Sequence, residues 1–342
     1  MPVQVAVDAH NLALDDRGIG RYARAILSRA LADADFAFTL VVRRMFPRAA
    51  PLARALGGIA VRVVNRVPRD AQVLWSPWNG TFLESHAPSV ATVHDVGPFA
   101  FPSRSPRLRA AEQEPFRKTA AVAKRIIAPS RFTASEVERW LGVEAARIVV
   151  VPEAADAQVF APGPSGPLPA GLHAGRFVLC VGTHEERKNT GPLIDAYARA
   201  FPDGDPPLVL TRRRGNLPRG AIVIESASDT DLVSLYRGAT LVAAPSPYEG
   251  FGLPSLEALA CGAPVLAARG GALVETCGEA VAWVDEPLRV EAWTRALREL
   301  VADDAARARL ARLGPPRAAE FSWNSSAEQT LAVLRDVAEA TC

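Results

Sequence analysis

Cysteine is scarce in this chain of 342 residues, and its four cysteines are scattered with no CxxC pair. They define neither a disulfide framework nor a zinc site. No uncharged apolar run reaches the roughly 18 residues that a membrane-spanning helix needs, so no such helix is predicted. The first residues lack the basic and apolar regions of a signal peptide. We therefore expect a cytoplasmic protein.

Net charge is also small. The formal charge of +2 excludes strong electrostatic steering of the whole chain toward nucleic acid. Residues 1–170 carry more Lys and Arg than Asp and Glu, and residues 171–342 carry the reverse excess. The basic stretches 43–69 and 104–125 could contact anionic lipid on the inner face of a membrane. An ordinary solvated basic face is the alternative.

Short apolar runs alternate with helix-like stretches along the whole chain, a pattern typical of parallel α/β sheets. The length corresponds to about two domains. Residues 161–175 hold four prolines and four glycines, the composition of a flexible linker. We predict Rossmann-like domains over about 1–160 and 170–325, with a ligand cleft between them. We expect the last helix, about 325–342, to return to the first domain.

The most informative segment is YEGFGLPSLEALACGAP, residues 248–264, which follows a predicted strand. Gly250 and Gly252 flank Phe251 and would let the backbone approach a ligand closely. Pro254 suits the start of a helix and Gly262 the residue just past its end. A glycine loop entering a helix is an anion site, because free N–H groups and the helix dipole favour phosphate.

Two carboxylates accompany this loop. Glu249 precedes it, and Glu257 is expected in the first turn of the helix. Both would repel a phosphate, so sugar hydroxyls are better partners for these acceptors. The alternative is that Glu257 only complements the helix dipole and that the glycines only form a turn.

A second segment, VGTHEERKN at residues 181–189, follows the first predicted strand of the second domain. Arg187 and Lys188 are adjacent cations suited to a diphosphate. They could stabilise a departing nucleoside diphosphate without a metal. An exposed surface pair, partly neutralised by Glu185 and Glu186, is the alternative.

Two segments of the first domain complete the candidates. His94 and Asp95 follow a predicted strand in ATVHDVGPF, where a lone histidine can also be structural. In RGIGRYA, Gly18 and Gly20 match a dinucleotide fingerprint. Ten residues separate them from the preceding strand, whereas that fingerprint begins directly after it. We therefore reject an NAD(P) site and keep a glycine turn at a helix start as the plain alternative.

The stretch EGFGLPSLEALACGAPV resembles the signature of retaining glycosyltransferase family 4, whose members have the GT-B fold. Glu249 and Glu257 stand at the positions of the family's E-x7-E pair. The resemblance implies that Glu249 contacts donor-sugar hydroxyls and Glu257 the ribose diol. The N–H groups of Phe251, Gly252 and Leu253, after Gly250, would hold the distal phosphate.

The same resemblance implies further roles. Arg187 and Lys188 would bind phosphate in a loop that also holds the donor-binding residues Gly182 and Thr183. His94 would touch the donor sugar near its 6-hydroxyl. VDAHNLA…GIGRYA resembles the opening of bacterial mannosyltransferase-like members, in which the loop of Gly18 and Gly20 lines the cleft. VPEAADAQVF, residues 151–160, resembles the family's V-P-N-G-V-D-x-x-x-F, with Glu153 replacing Asn.

By resemblance the chain is a metal-independent hexosyltransferase without a cofactor. It would use a nucleoside-diphosphate sugar, GDP-mannose before UDP-sugars, and a glycan or lipid-linked acceptor. Two DxD sequences, at 33–35 and 203–205, follow predicted helices instead of strands, so we assign no metal to them. The rival hypotheses are a nucleotide-sugar epimerase or phosphorylase on a similar fold, and a catalytically silent nucleotide-sugar-binding subunit.

Overall fold

A computed structural model describes residues 1–15, 18–44, 48–80, 83–182, 188–212 and 216–340. The chain divides into two compact units, one of residues 1–153 with 323–342 and one of residues 154–322. The division falls between Glu153 and Ala154, earlier than the proline-rich segment in which the sequence suggests a linker.

The first unit is built on a parallel sheet, which has seven strands in the part of the chain that the structure describes. The strands are β1 (Val3–Asp8), β2 (Phe36–Val41), β3 (Arg62–Val64), β4 (Val73–Ser76), β5 (Ser89–Thr92), β6 (Ala123–Ala128) and β7 (Ile148–Val150). The helices are α1 (Gly18–Ala30), α2 (Ala49–Ala55), α3 (Gly97–Ala100), α4 (Pro106–Val122) and α5 (Arg131–Leu141).

The spatial order β3-β2-β1-β4-β5-β6-β7 places a switch point between β1 and β4. Strands β2 and β3 lie on one side of β1, and strands β4 to β7 lie on its other side. Ligands of open α/β sheets bind outside the carboxyl ends of the strands at such a point. The loops after β1, β4 and β5 therefore form the functional edge of this unit.

Aromatic side chains fix α1 against this sheet. Tyr22 on α1 and Trp75 on β4 are fully buried. The Trp75 indole N–H donates to Oγ1 of Thr92 at 3.2 Å, and the Tyr22 hydroxyl lies 3.2 Å from the same oxygen. Each buried polar tip thus has a hydrogen-bond partner, as large buried aromatics require.

The second unit repeats the plan with a parallel sheet, of six strands within the described ranges. The strands are β8 (Val178–Cys180), β9 (Leu208–Thr211), β10 (Ala221–Ile224), β11 (Leu241–Ala244), β12 (Val265–Ala268) and β13 (Ala282–Val284). The helices are α6 (Thr190–Ala200), α7 (Asp229–Gly238), α8 (Leu253–Ala260), α9 (Leu273–Cys277), α10 (Val290–Ala302) and α11 (Asp304–Ala319).

The order β10-β9-β8-β11-β12-β13 places the switch point of this unit between β8 and β11. Strands β9 and β10 lie on one side of β8 and strands β11 to β13 on its other side, as in the first unit. The loop after β8 and the loop between β11 and α8 therefore leave the sheet side by side at its carboxyl edge.

The segment 161–175 packs on α7 within the second unit. The Arg237 guanidinium donates from Nε to the Ala161 carbonyl oxygen at 2.8 Å. A Cβ on Gly166 would lie 2.5 Å from Ser234 Oγ, and the Gly175 N–H donates to the Gly238 carbonyl at 2.7 Å. The glycines thus permit close packing, and the flexible linker expected from composition is wrong.

Helix α12 (Trp323–Glu339) belongs to the first unit. Asn324 Oδ1 accepts from Arg29 Nε of α1 at 2.7 Å, and Arg335 pairs with Asp35 at 2.9 Å. Among the described residues, no helix is long and apolar enough to cross a membrane.

Replacement of Gly20 by alanine should destabilise the first unit. An added Cβ would lie 1.8 Å from the Asp15 carbonyl oxygen, and such overpacking costs about 1–3 kcal/mol. Gly191→Ala is the matched control, because nothing lies within 4 Å of that Cβ position in α6. Urea unfolding measures both variants. An unchanged midpoint for Gly20→Ala would contradict this packing.

Candidate functional site

An ion pair joins two predicted site residues of the second unit. Lys188 Nζ lies 2.7 Å from each carboxylate oxygen of Glu249. The side chains are only 18% and 14% exposed, so solvent screens this charge-assisted contact weakly. Lys188 follows β8 and Glu249 follows β11. The pair therefore lies at the carboxyl edge of the sheet, at its switch point.

Asn189 fixes the turn that carries Lys188. Its backbone has a φ of 55°, a left-handed conformation that asparagine tolerates better than most residues. Its side-chain N–H₂ donates to the carbonyl oxygens of Pro245 at 3.3 Å and Pro287 at 2.9 Å. The lysine turn is thereby attached to the loop that carries Glu249.

A pair of glycines after β12 holds the Glu249 loop from the other side. A Cβ on Gly271 would lie 2.9 Å from the Glu249 nitrogen, and one on Gly270 would lie 2.6 Å from the Pro247 oxygen. The Ala272 N–H donates to the Glu249 carbonyl at 3.1 Å. These glycines were not among the predicted site residues, although two adjacent glycines after a buried strand are a usable signal of close backbone approach.

The amides of Phe251, Gly252 and Leu253 make no hydrogen bond to any other residue that the structure describes. Gly252 caps α8 with a φ of 97°, and a Cβ there would lie 2.4 Å from Leu273 Cδ2. Three successive N–H groups and a helix start, next to Gly250, are a suitable arrangement for an anion.

Glu257 lies farther along helix α8 than the sequence indicates. Helix α8 begins at Leu253, so Glu257 is past its first turn, and the expected first-turn position is wrong. The carboxyl is buried, and its Oε2 accepts a hydrogen bond from the Tyr236 hydroxyl at 3.2 Å. Since dipole effects fade beyond the first turn, simple dipole complementarity does not explain this residue.

The loop after β8 is described only in part. Gly182 has a φ of 74°, which suits glycine, and its N–H donates to Thr211 Oγ1 at 2.8 Å. That amide is therefore occupied within the unit. Thr183 and Arg187 lie outside the described residues, and their roles stay predictions.

His94 in the first unit is buried, and both ring nitrogens have protein partners. Nδ1 lies 2.8 Å from Glu153 Oε1, and Nε2 lies 3.0 Å from the Pro77 carbonyl oxygen. The Tyr22 ring packs edge-on with centroids 4.7 Å apart. A carboxylate and a carbonyl both accept, so two N–H groups, and hence an imidazolium, satisfy this geometry.

The pKa of His94 agrees with that assignment. Burial alone would lower the pKa, but the hydrogen bond and charge of Glu153, with the Pro77 carbonyl, raise it above the ordinary value. The ring thus has no nitrogen available for a donor sugar unless one of these contacts breaks. The structure gives His94 different partners from those that the resemblance implies, and its partner Glu153 is the residue that departs from the family pattern.

The remaining candidates of the first unit have local contacts. Asp95 Oδ1 accepts from the Gly97 N–H at 2.9 Å. Gly18 begins α1 and is exposed, whereas Gly20 is buried against the Asp15 carbonyl. The contact at Gly20 supports the plain alternative of a glycine turn at a helix start. Within the described ranges, no group of three or more His, Cys, Asp or Glu is placed to hold a metal ion.

Sequence comparison identifies the class. Residues 214–315 match the family described as glycosyl transferases group 1, and residues 30–159 match Glycosyltransferase Family 4. O-antigen chain mannosyltransferase B of Escherichia coli is 32% identical over 263 residues, covering 71% of this chain and 69% of that protein.

Two further relatives are 31% identical. The MMP alpha-(1->4)-mannosyltransferase of Mycolicibacterium hassiacum matches over 61% of this chain and 53% of its own length. The D-inositol 3-phosphate glycosyltransferase of Corynebacterium urealyticum matches over 59% and 54%. The match thus spans about half the length of these two relatives.

Solved structures share the fold over nearly the whole chain. Sucrose-phosphate synthase from Thermosynechococcus elongatus has a TM-score of 0.77 at 20% identity, covering 99% of this chain and 100% of that one. HepE of Anabaena, solved in complex with UDP-glucose, has a TM-score of 0.71 at 18% identity, covering 98% and 100%.

The two parallel-sheet units have the GT-B fold, and the family matches and relatives identify a glycosyltransferase. The chain belongs to glycosyltransferase family 4. The fold and the family that the E-x7-E segment predicts are both confirmed.

The His94–Glu153 pair should make stability depend on pH. A pKa raised in the folded state adds stability below the unfolded pKa, near 6.5, and this stability is lost as pH rises through the folded pKa. We expect urea unfolding to show this loss in the wild type and not in His94→Gln. The exposed His86→Gln serves as the control. Equal pH dependence in wild type and His94→Gln would exclude the imidazolium.

Proposed function

We propose that this glycosyltransferase moves a hexose from a nucleoside-diphosphate sugar, with GDP-mannose as the favoured donor, to a glycan or lipid-linked acceptor. The anomeric configuration is retained and no metal takes part. The observation that carries the proposal is the Lys188–Glu249 ion pair, which joins the loop after β8 to the loop that leads to α8 at the switch point of the second unit.

The comparisons support the donor class. HepE was solved with UDP-glucose, a nucleotide sugar. Two of the relatives are named mannosyltransferases, which favours mannose as the transferred sugar. The choice of GDP as the nucleotide of the donor rests on the resemblance of VDAHNLA…GIGRYA to mannosyltransferase-like members of the family.

The ion pair provides charges for both ends of a donor. When a nucleotide sugar arrives, Lys188 exchanges the Glu249 carboxylate for the diphosphate, which carries two negative charges against one on the carboxylate. The amides of Phe251, Gly252 and Leu253 donate to the same phosphate group. Glu249, released from its cation, accepts hydrogen bonds from hydroxyls of the sugar.

The reaction then needs charge stabilisation at the leaving group. The bond between the anomeric carbon and the phosphate oxygen breaks, and a bond from the acceptor oxygen forms on the same face. The acceptor's proton passes to the departing phosphate. Lys188 and the amides, with Arg187 as the second predicted cation, stabilise charge that develops in the transition state.

Replacement of Lys188 by alanine should lower kcat about 100-fold or more, as loss of one transition-state donor does. It should change the donor KM much less, because the charge grows during the reaction. Steady-state kinetics with GDP-mannose measures both constants.

The matched control for this variant is Lys124→Ala, which removes an exposed lysine of β6. Urea unfolding of Lys188→Ala shows whether the uncompensated Glu249 carboxylate has destabilised the unit. A folded Lys188→Ala enzyme with wild-type turnover would exclude the assigned role.

The proposed reaction is tested with a panel of GDP- and UDP-sugars and the product linkage read by NMR. We expect GDP-mannose, an α-linked donor, to give an α-mannoside, with the rate unchanged by EDTA. A β-linked product would exclude retention, and loss of activity in EDTA would exclude metal independence. A sugar epimerised at one centre and formed without an acceptor would indicate an epimerase, and transfer to free phosphate would indicate a phosphorylase.

A further inference from the structure

The carboxyl edge of the first unit carries a second histidine–carboxylate pair. Asp8 is the last residue of β1, and His10 follows two residues later. The His10 Nδ1 lies 2.7 Å from Asp8 Oδ1. Asp8 is 2% exposed and His10 is 31% exposed. A buried carboxylate thus holds an imidazole that reaches solvent.

The pair sets the tautomer of the imidazole. The Asp8 carboxylate accepts, so Nδ1 of His10 carries a hydrogen, and in the neutral form of the ring Nε2 carries the lone pair. Nε2 makes no hydrogen bond to any other residue in the described ranges. The ring therefore presents an oriented hydrogen-bond acceptor to solvent.

The orientation of the ring is fixed by its neighbours. The Trp78 indole N–H donates to the Asp8 carbonyl oxygen at 2.8 Å. The Trp78 and His10 rings pack edge-on, with centroids 5.8 Å apart. Trp78 follows β4, so two adjacent strands at the switch point position His10. Such support holds a binding group in one geometry before a ligand arrives.

We propose that the Asp8–His10 pair binds the acceptor: Nε2 of His10 accepts a hydrogen bond from a hydroxyl group of a sugar or cyclitol acceptor. Asp8 is the positioning residue. This inference rests on the proposed function, which assigns the donor to residues of the second unit and names no residue for the acceptor. A ring nitrogen that can only accept a hydrogen bond suits an alcohol, because the hydroxyl group of the alcohol donates one.

Nitrogen NMR of the histidine rings tests the assignment without a donor. Spectra are recorded at about pH 8, above the ordinary range for a histidine pKa, and His10→Gln identifies the His10 signals. We expect the Nδ1–H tautomer at His10. Addition of methyl α-D-mannopyranoside, methyl α-D-glucopyranoside or myo-inositol should shift the Nε2 signal with at least one of the three.

Two variants complete the design. His10→Gln should weaken binding of the responding probe at least tenfold, and His86→Gln, at an exposed histidine of the same unit, should leave it unchanged. An Nε2–H tautomer, or no shift of Nε2 with any probe, would overturn the inference. Failure of GDP and UDP to raise the unfolding temperature would instead count against the proposed function, since that readout concerns the donor.

Discussion

The contact between Lys188 and Glu249 is the interaction on which the proposed donor site depends. It places a cation and an anion 2.7 Å apart, both mostly shielded from water. Each of these charges needs an opposite charge nearby, because an unpaired charge that is shielded from water destabilises the fold. The two partners satisfy each other, and a nucleotide sugar offers a substitute for each: phosphate oxygens for the lysine and hydroxyls for the glutamate. The same two groups can therefore stabilise the two loops against each other and recognise a ligand.

The sheets explain why these groups meet. In each unit the second and third strands lie on one side of the first strand, and the fourth strand lies on its other side. Loops that are distant in sequence therefore follow neighbouring strands at one edge of the sheet. Lys188 and Glu249 are 61 residues apart in the chain, and Trp78 binds the backbone of Asp8 across 70 residues. Glycines allow close contact between backbone segments at these edges. Gly271 leaves room for the backbone of Glu249, and Gly20 leaves room for the Asp15 carbonyl oxygen.

The sequence predicted the fold and the family because both depend on contiguous patterns. Alternating apolar runs and helices indicate parallel sheets, and the segment 249–264 carries its glycines, proline and glutamates within one stretch. Partners far apart in the chain leave no such local signal, so Glu153 was noted only as a departure from the family pattern and its contact with His94 was not predicted. The composition of 161–175 was misleading, because the proline and glycine that suggest a free linker also permit tight packing on α7. Glu257 was placed too near the helix start, because the start was predicted at Pro254, one residue later than Leu253.

The most direct measurement is a crystal structure of the chain soaked with GDP-mannose. We expect the pyrophosphate to lie within hydrogen-bond distance of Lys188 Nζ and of the amides of residues 251–253, with Lys188 displaced from Glu249 and the glutamate turned toward the sugar. Nucleotide density elsewhere, with the Lys188–Glu249 pair intact, would contradict it.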